Sequence, residues 1–272
     1  MNLLFSINRK FIPLWEQCMA TILRHGGAAH YDLYVLHSDL TGEDGARMQA
    51  ALRPQDSCTL VRVPEGLFEG FPETGRYPVQ IYYRLAAPLL LPEALNRILY
   101  LDVDTVILNS LEPLYTSDFA GAAFMACSHT RKFLDKVNQA RLGLEDGVRY
   151  LNSGVLMMDL ALLRRTLRLE DIRDYAGRYK NRLILPDQDI LTGLFGDKAL
   201  VLDSRIYNMT DRLYVRCSAL PSERLSLDWV RQNTVVVHYL GKPKPWQKNY
   251  IGPLGVFYQE ELALTRAAAE EA

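Results

Sequence analysis

Two hydrophobic rhythms alternate along the first hundred residues. Residues 2–6 form a short apolar run that predicts a strand. From Pro13 the apolar positions take a helical spacing that stops near Gly26, with proline at the start and glycine at the end. Residues 31–37 alternate as a half-buried strand does, and a polar helix over 41–53 and a third strand over 58–63 follow. This β-α-β-α-β opening predicts an α/β fold with a mostly parallel, Rossmann-like central sheet, flanked by helices and joined by right-handed crossovers. Residues 64–76, rich in Gly, Glu and Phe, predict an irregular surface loop. Residues 79–91 predict a helix leading into the run Tyr100-Leu101-Asp102-Val103-Asp104-Thr105-Val106-Ile107-Leu108, which reads as a central strand.

Beyond that run the rhythm is less regular. Strands are predicted over 121–126, 155–159 and 234–237, the last ending at His238. Helices are predicted over 129–142, bearing Arg131, Lys132 and Lys136, over 187–195 behind Pro186, and over 256–272. No internal repeat or Ser/Gly linker interrupts the chain. One domain over residues 1–252 is expected, followed by a C-terminal helical tail over 253–272.

Composition narrows this picture only slightly. With 272 residues, 49% of them hydrophobic and 23% charged, core material is not limiting. A net charge of -1 gives no reason to expect a nucleic-acid partner and leaves any phosphate binding to local placement. Cys18, Cys58, Cys127 and Cys217 are scattered with no C-x-x-C pair, and they predict buried free thiols rather than disulfides or a zinc site. The first apolar stretch is too short for a signal peptide, and none is long enough for a transmembrane segment. A cytoplasmic protein with at most peripheral membrane contact is expected.

Asp102 and Asp104 carry the candidate chemistry. On a strand, residues i and i+2 share a face, so both carboxylates are expected to converge where the apolar pattern puts the core. Unpaired buried charge is costly there, and a divalent cation is the leading compensation. His238, at the end of another strand, adds an imidazole. Two carboxylate oxygens and one nitrogen suit an octahedral cation such as Mn²⁺, with Mg²⁺ as the alternative, and leave positions for substrate oxygens. The adjoining Gly241-Lys242-Pro243-Lys244-Pro245-Trp246 joins a glycine, which permits close backbone approach, to lysines on a proline-stiffened loop suited to phosphate. Leu185-Pro186-Asp187-Gln188-Asp189 sets two carboxylates and an amide at a helix start, where acids also serve as caps. Leu151-Asn152-Ser153-Gly154-Val155 is a polar turn entering a strand. Taken singly, each segment has an ordinary reading as a turn, a cap or a solvated surface. In open parallel sheets ligands bind beyond the carboxyl ends of the strands, and Asp102, Asp104 and His238 all fall at such ends.

In chain order, FSIN (5–8), YYRL (82–85), YLDVDTVIL (100–108), LNSGVLMMDL (151–160), LPDQDILTGLF (185–195) and HYLGKPKPW (238–246) resemble glycosyltransferase family 8. That family includes bacterial lipopolysaccharide galactosyl- and glucosyltransferases and glycogenin. The resemblance spans about residues 2–250 and implies a GT-A fold, a UDP-hexose donor (UDP-galactose or UDP-glucose), Mn²⁺ and retention of anomeric configuration. It implies Asp102, Asp104 and His238 as metal ligands, with Asp104 also near the ribose. Lys244, with Gly241 beside it, resembles the diphosphate contact. Arg84, Asn152, Asp187 and Gln188 resemble the donor-sugar contacts, Gln188 lying beside the anomeric carbon; Asp189 is a neighbour with no assigned role. Lipopolysaccharide galactosyltransferases of the family carry Asp where Asn8 stands and Asn where Lys10 stands, both at the uracil. Asn8 can still bond the base edge, whereas Lys10 is a departure. The acceptor implied is a hydroxyl of a glycan or glycolipid, such as lipopolysaccharide or another cell-surface saccharide.

A retaining hydrolase uses a carboxylate nucleophile beside the anomeric carbon. Here the residue expected there is the amide of Gln188. Same-face attack assisted by the leaving phosphate is therefore favoured over double displacement through Asp187 or Asp189. Two rival readings remain. Asp102-Val103-Asp104-Thr105-Val106 also fits the nucleophile motif of haloacid-dehalogenase-type phosphatases, with Asp102 phosphorylated and Asp104 as acid/base; that motif, however, usually opens its domain. A nucleotide-sugar-binding protein without turnover is the non-catalytic alternative, and the intact acids, His238 and Lys244 argue against it.

Overall fold

The computed structural model describes residues 1–73, 78–130, 132–219 and 225–271. The opening crossovers form as the pattern predicts: β1 (Asn2–Ser6), α1 (Ile12–His25), β2 (Asp32–His37), α2 (Gly42–Ala50) and β3 (Ser57–Arg62). Pro13 sits in the first turn of α1, and Thr41 with Asp44 closes a capping box at the start of α2. The predicted helix over 79–91 is instead a 3₁₀ turn over Val79–Ala86 followed by α3 (Ala87–Leu90). Pro88 has no N–H to give a continuous helix, so the α-helix restarts with the proline in its first turn. Of the predicted surface loop over 64–76, residues 74–76 lie outside the described residues, as do Arg131 and Ala272.

The chain continues through β4 (Arg97–Leu101), β5 (Thr105–Ile107), α4 (Glu112–Thr116), β6 (Phe124–Cys127) and α5 (Lys132–Leu142). Next come β7 (Val155–Asp159), α6 (Leu160–Thr166), α7 (Leu169–Tyr179), α8 (Pro186–Phe195) and β8 (Ala199–Leu202). It closes with α9 (Ser204–Tyr207), α10 (Asp211–Ser218), α11 (Leu227–Asn233), β9 (Val236–His238) and α12 (Gly255–Glu271). The main sheet has the order β3-β2-β1-β4-β7-β6-β8, and β5 pairs with β9 separately. The β1–β2, β1–β4, β2–β3 and β6–β8 pairs are parallel; β7 runs antiparallel to both β4 and β6.

One expectation is overturned here. Residues 100–108 are not a single strand: β4 stays in the main sheet while β5 leaves it to pair with β9. Asp102, Val103 and Asp104 form the bend between them. The acids therefore converge because the chain turns, not because a strand alternates. The bend is pinned at both ends. Asp102 N–H donates to Gly154 O at 2.8 Å, Thr105 Oγ1 to Asp102 O at 2.8 Å, and Tyr239 N–H to Asp104 O at 3.0 Å.

Alternation does govern the core. Leu4, Ile98, Tyr100, Leu156 and Met158 join an apolar layer with α6, α7 and α8. Leu3, Phe5, Leu99, Leu101, Val155 and Met157 join the opposite layer with α1. A third cluster, around Val237, Tyr239, Leu254 and Phe257, packs α12 against the β5–β9 pair. All four cysteines are free; Cys18, Cys127 and Cys217 are buried, and Cys58 only partly so. No helix among the described residues is long and apolar enough to cross a membrane.

Candidate active site

The topology decides where polar side chains can meet. Strand order reverses at β1, between β2 and β4, which opens a crevice at the carboxyl ends of these strands. Because β7 is antiparallel to β4, with Val155 opposite Leu101, the Asn152–Gly154 turn lies at that same end. His238 is delivered there by β9, where it pairs with Thr105.

Asp102, Asp104 and His238 form a group whose ligand atoms all lie within 4.8 Å of one another. His238 is 1% exposed, with Nε2 at 3.2 Å from Asp104 Oδ1 and 3.6 Å from Asp102 Oδ2. Its Nδ1 lies 3.0 Å from Asn208 Oδ1, an acceptor because the Asn208 amide nitrogen donates to Asn152 Oδ1 at 2.8 Å. The proton therefore belongs on Nδ1, while Nε2 is buried with no hydrogen-bond partner. A neutral ring so held aims a lone pair at two carboxylates, and a cation among the three relieves that repulsion. The donor set and this orphaned nitrogen fit a divalent metal. Burial alone would raise the Asp104 carboxyl, but the Lys244 ammonium beside it pulls it down.

Gly154 completes this corner. A Cβ there would come within 2.1 Å of His238 Cε1 and 2.7 Å of Asp102 Oδ2, so only glycine permits the approach. Lys244 Nζ donates to the Asp104 carboxylate and, at 2.7 Å, to Tyr239 O. Gly241, which precedes it, has φ +82°, a left-handed conformation that turns the loop back.

A second polar layer lies behind the acids. Arg84, buried, sits 3.0 Å from Asp102 Oδ1 and 3.7 Å from Asp187 Oδ2, donates to Ser153 O at 2.8 Å, and stacks over the Tyr100 ring at 4.4 Å. Tyr100 donates its hydroxyl to Asp102 Oδ1 at 2.6 Å. Desolvation lowers the Arg84 pKa, but Asp102, Tyr100 and Asp187 outweigh it and raise the guanidinium further, so it is charged at any working pH. Gln188 Oε1 accepts from the Asn152 amide at 2.7 Å and from Ser153 N–H at 3.2 Å. Ser153 Oγ donates to Asp187 Oδ2 at 2.6 Å. Burial raises the Asp187 carboxyl, partly offset by Arg84 and Ser153.

Asp189 departs from the expectation of a candidate catalytic carboxylate. It is fully buried, and its oxygens are taken by Arg141 at 2.7 and 2.8 Å, Tyr150 OH at 2.6 Å, and the Ile184 and Leu185 N–H groups. On a helix, residues two apart point about 200° from each other, so Asp187 and Asp189 face opposite ways. Asn8, at the end of β1, uses its side-chain oxygen to accept from Lys10 N–H at 3.1 Å, capping the next turn. Sequence reasoning missed Tyr100, Ser153, Gly154 and Asn208. Ser153 and Gly154 lay in a segment already singled out, but nothing around Asn208 in the sequence marks it.

Comparison with known proteins bears on what this arrangement does. The model of glycosyl transferase family 8 matches residues 2–250. The chain belongs to that family. It is 27% identical over 255 residues to a putative glycosyltransferase of Haemophilus influenzae, covering 91% of this chain and 73% of that protein. It is 25% identical over 269 residues to a lipopolysaccharide 1,2-glucosyltransferase of Escherichia coli K12, covering 95% and 76%. The galactosyltransferase LgtC, solved with donor and acceptor sugar analogs, matches with a TM-score of 0.82 and 25% identity over 97% of this chain and 95% of that one. The chain is thus a family 8 glycosyltransferase with the GT-A fold.

Proposed function

We propose that this enzyme transfers galactose or glucose from a UDP-sugar to a hydroxyl of a glycan acceptor such as lipopolysaccharide, retaining anomeric configuration and requiring Mn²⁺ or Mg²⁺. The observation that carries the reading is the buried, unpartnered His238 Nε2 directed at Asp102 and Asp104. The names of the relatives support a hexose donor and a lipopolysaccharide-type acceptor.

The cation, when bound, supplies Lewis-acid stabilisation of the leaving diphosphate. Asp102, Asp104 and His238 hold it. Lys244, exchanging its bond to Asp104 for a phosphate oxygen, adds positive charge where negative charge develops. Gly241 gives the backbone close approach, and Asn8 meets the uracil. Arg84, Asn152 and Asp187 orient the sugar hydroxyls, a positioning role that lowers the barrier by fixing the reacting geometry. Gln188, whose oxygen is engaged by Asn152 and Ser153, is a poor nucleophile; this favours same-face attack by the acceptor over a covalent intermediate. The phosphatase reading needs Asp102 as a nucleophile, yet its Oδ1 is held by Tyr100 and Arg84.

Screening UDP-glucose, UDP-galactose and other nucleotide sugars with Mn²⁺ by thermal shift and by hydrolysis tests the reading. A true donor at 100-fold excess over its dissociation constant stabilises the fold by about 2.7 kcal/mol. Stabilisation by no UDP-sugar, or phosphate release from p-nitrophenyl phosphate with Mg²⁺, would sink it.

A further inference from the structure

His238, Asn208, Asn152, Gln188 and Tyr150 form one hydrogen-bonded relay behind the site. The oxygen and nitrogen of a side-chain amide are told apart by what they bond, and here groups of fixed character decide. Gly154 N–H donates to Asn152 at 3.0 Å, which places Asn152 Oδ1 there and leaves Nδ2 to donate to Gln188 Oε1 at 2.7 Å. Ser153 N–H donates to the same Gln188 oxygen at 3.2 Å. Tyr150 gives its one proton to Asp189 at 2.6 Å, so toward Gln188 its oxygen can only accept. Burial and Asp189 raise that phenol, and the bond from Gln188 opposes them. The anchors agree. Gln188 Oε1 is held by Asn152 and Ser153, and Nε2 is turned away from both.

Asn208 ties this end of the relay to the metal corner. It is fully buried, and Met209 holds it beside β9 by donating to Val236 O at 2.9 Å and accepting from His238 N–H at 2.8 Å. Because Asn152 Oδ1 is an acceptor, the Asn208 group 2.8 Å from it is Nδ2, and Asn208 Oδ1 takes the proton of His238 Nδ1 at 3.0 Å. Reversing any one amide would set oxygen against oxygen at the next and leave the Gly154 or Ser153 donor unpaired, which is costly in a buried place. The relay therefore has a single polarity, with a lone pair at His238 Nε2 and N–H at Gln188.

We propose that Gln188 presents N–H rather than C=O to the donor sugar, and that Asn208 is a positioning residue that keeps it so through Asn152. An N–H in that place binds an oxygen of the donor and has no lone pair to offer the anomeric carbon. The identity of this ligand rests on the UDP-sugar reading above, whereas the polarity of the relay is measured without one.

Neutron diffraction from a deuterium-exchanged crystal of the wild-type protein, free of metal and sugar, tests the polarity. Deuterium is expected on His238 Nδ1, on the Asn208 atom facing Asn152, and on the Gln188 atom turned away from Asn152. A Gln188 oxygen turned away from Asn152 would overturn the proposal, whatever the variants do. Asn208→Asp then separates the two tasks of Asn208. The new side chain still accepts from His238 Nδ1, but it gives Asn152 no proton and sets an oxygen against Asn152 Oδ1. Mn²⁺ affinity by calorimetry should tighten or stay within about threefold of wild type, below the loss that removing a partner of a metal ligand brings. UDP-sugar turnover should fall about 100-fold, mainly in kcat, as expected for a misplaced contact. Wild-type turnover in this variant, or Mn²⁺ affinity and turnover lost together, would leave Asn208 as a support for His238 alone and overturn its role at Gln188. Expected deuterium positions in a wild-type protein that turns over no UDP-sugar would strike the donor reading and leave the relay standing.

Discussion

The chain contains two D-x-D sequences of functional interest, and they fold to opposite ends. At Asp102-Val103-Asp104 a strand breaks, and the bend turns both carboxylates toward His238, with side chains 25% and 18% exposed. At Asp187-Gln188-Asp189 the backbone is helical, so the two acids diverge. Asp187 joins Arg84 and Ser153 at the site, while Asp189 closes a buried network with Arg141 and Tyr150. One pair faces a buried histidine nitrogen that has no hydrogen-bond partner; in the other, Asp189 is saturated. Spacing in sequence fixes neither outcome; the backbone conformation under it does.

The sharpest way to break this contrast is to remove one member of each pair. Asp104→Ala should cut metal-dependent turnover by about 10⁴-fold and abolish Mn²⁺ binding with little change in melting temperature. Near-normal UDP-sugar turnover would remove the bend from the catalytic site. Asp189→Ala should do the converse. It strands Arg141 in the interior at a cost of about 3 kcal/mol of stability, read by urea denaturation, while Mn²⁺ affinity of the folded fraction is kept. A stable Asp189→Ala protein without activity would return that acid to the chemistry.

Smaller effects sharpen the same comparison. Asn208→Ala frees the His238 ring to rotate and to protonate on either nitrogen, and should weaken Mn²⁺ binding about 10- to 100-fold by calorimetry. Unchanged affinity would mean the tautomer is set by other contacts.

The smallest effect concerns pH. Burial pushes His129 down to about 4 while its Nε2–H still donates to Asn208 O. Between that value and the ordinary histidine pKa near 6.5, the unfolded chain binds a proton that the folded one does not, so stability falls as pH drops through this window. His129 should account for about 2 kcal/mol of the loss from pH 7 to 4, allowing for partial solvent screening, and that share should be missing in His129→Gln. Parallel melting curves for the two proteins across that range would refute it.

Much of this was legible in one dimension because it rests on local rules. The first three strands and two helices follow from periodicity, proline and glycine punctuation, and a threonine cap. The segments bearing Asp102, Asp104, Asp187, Gln188, His238 and Lys244 stood out because charge, amide or glycine interrupts an apolar rhythm. Strand β8, helices α6 and α7, and the short helices α9, α10 and α11 carry no comparably clean pattern.

The sequence by itself determined the fold class, the family and the segments from which the site is built, since binary pattern and ordered motifs are properties of the chain. Only the tertiary structure decided that residues 100–108 split between two sheets. It also decided that antiparallel β7 brings Asn152 and Gly154 to the acids, and that Asn208 orients His238 from thirty residues upstream. These are contacts between distant segments, set by which strand pairs with which, and no local preference encodes them.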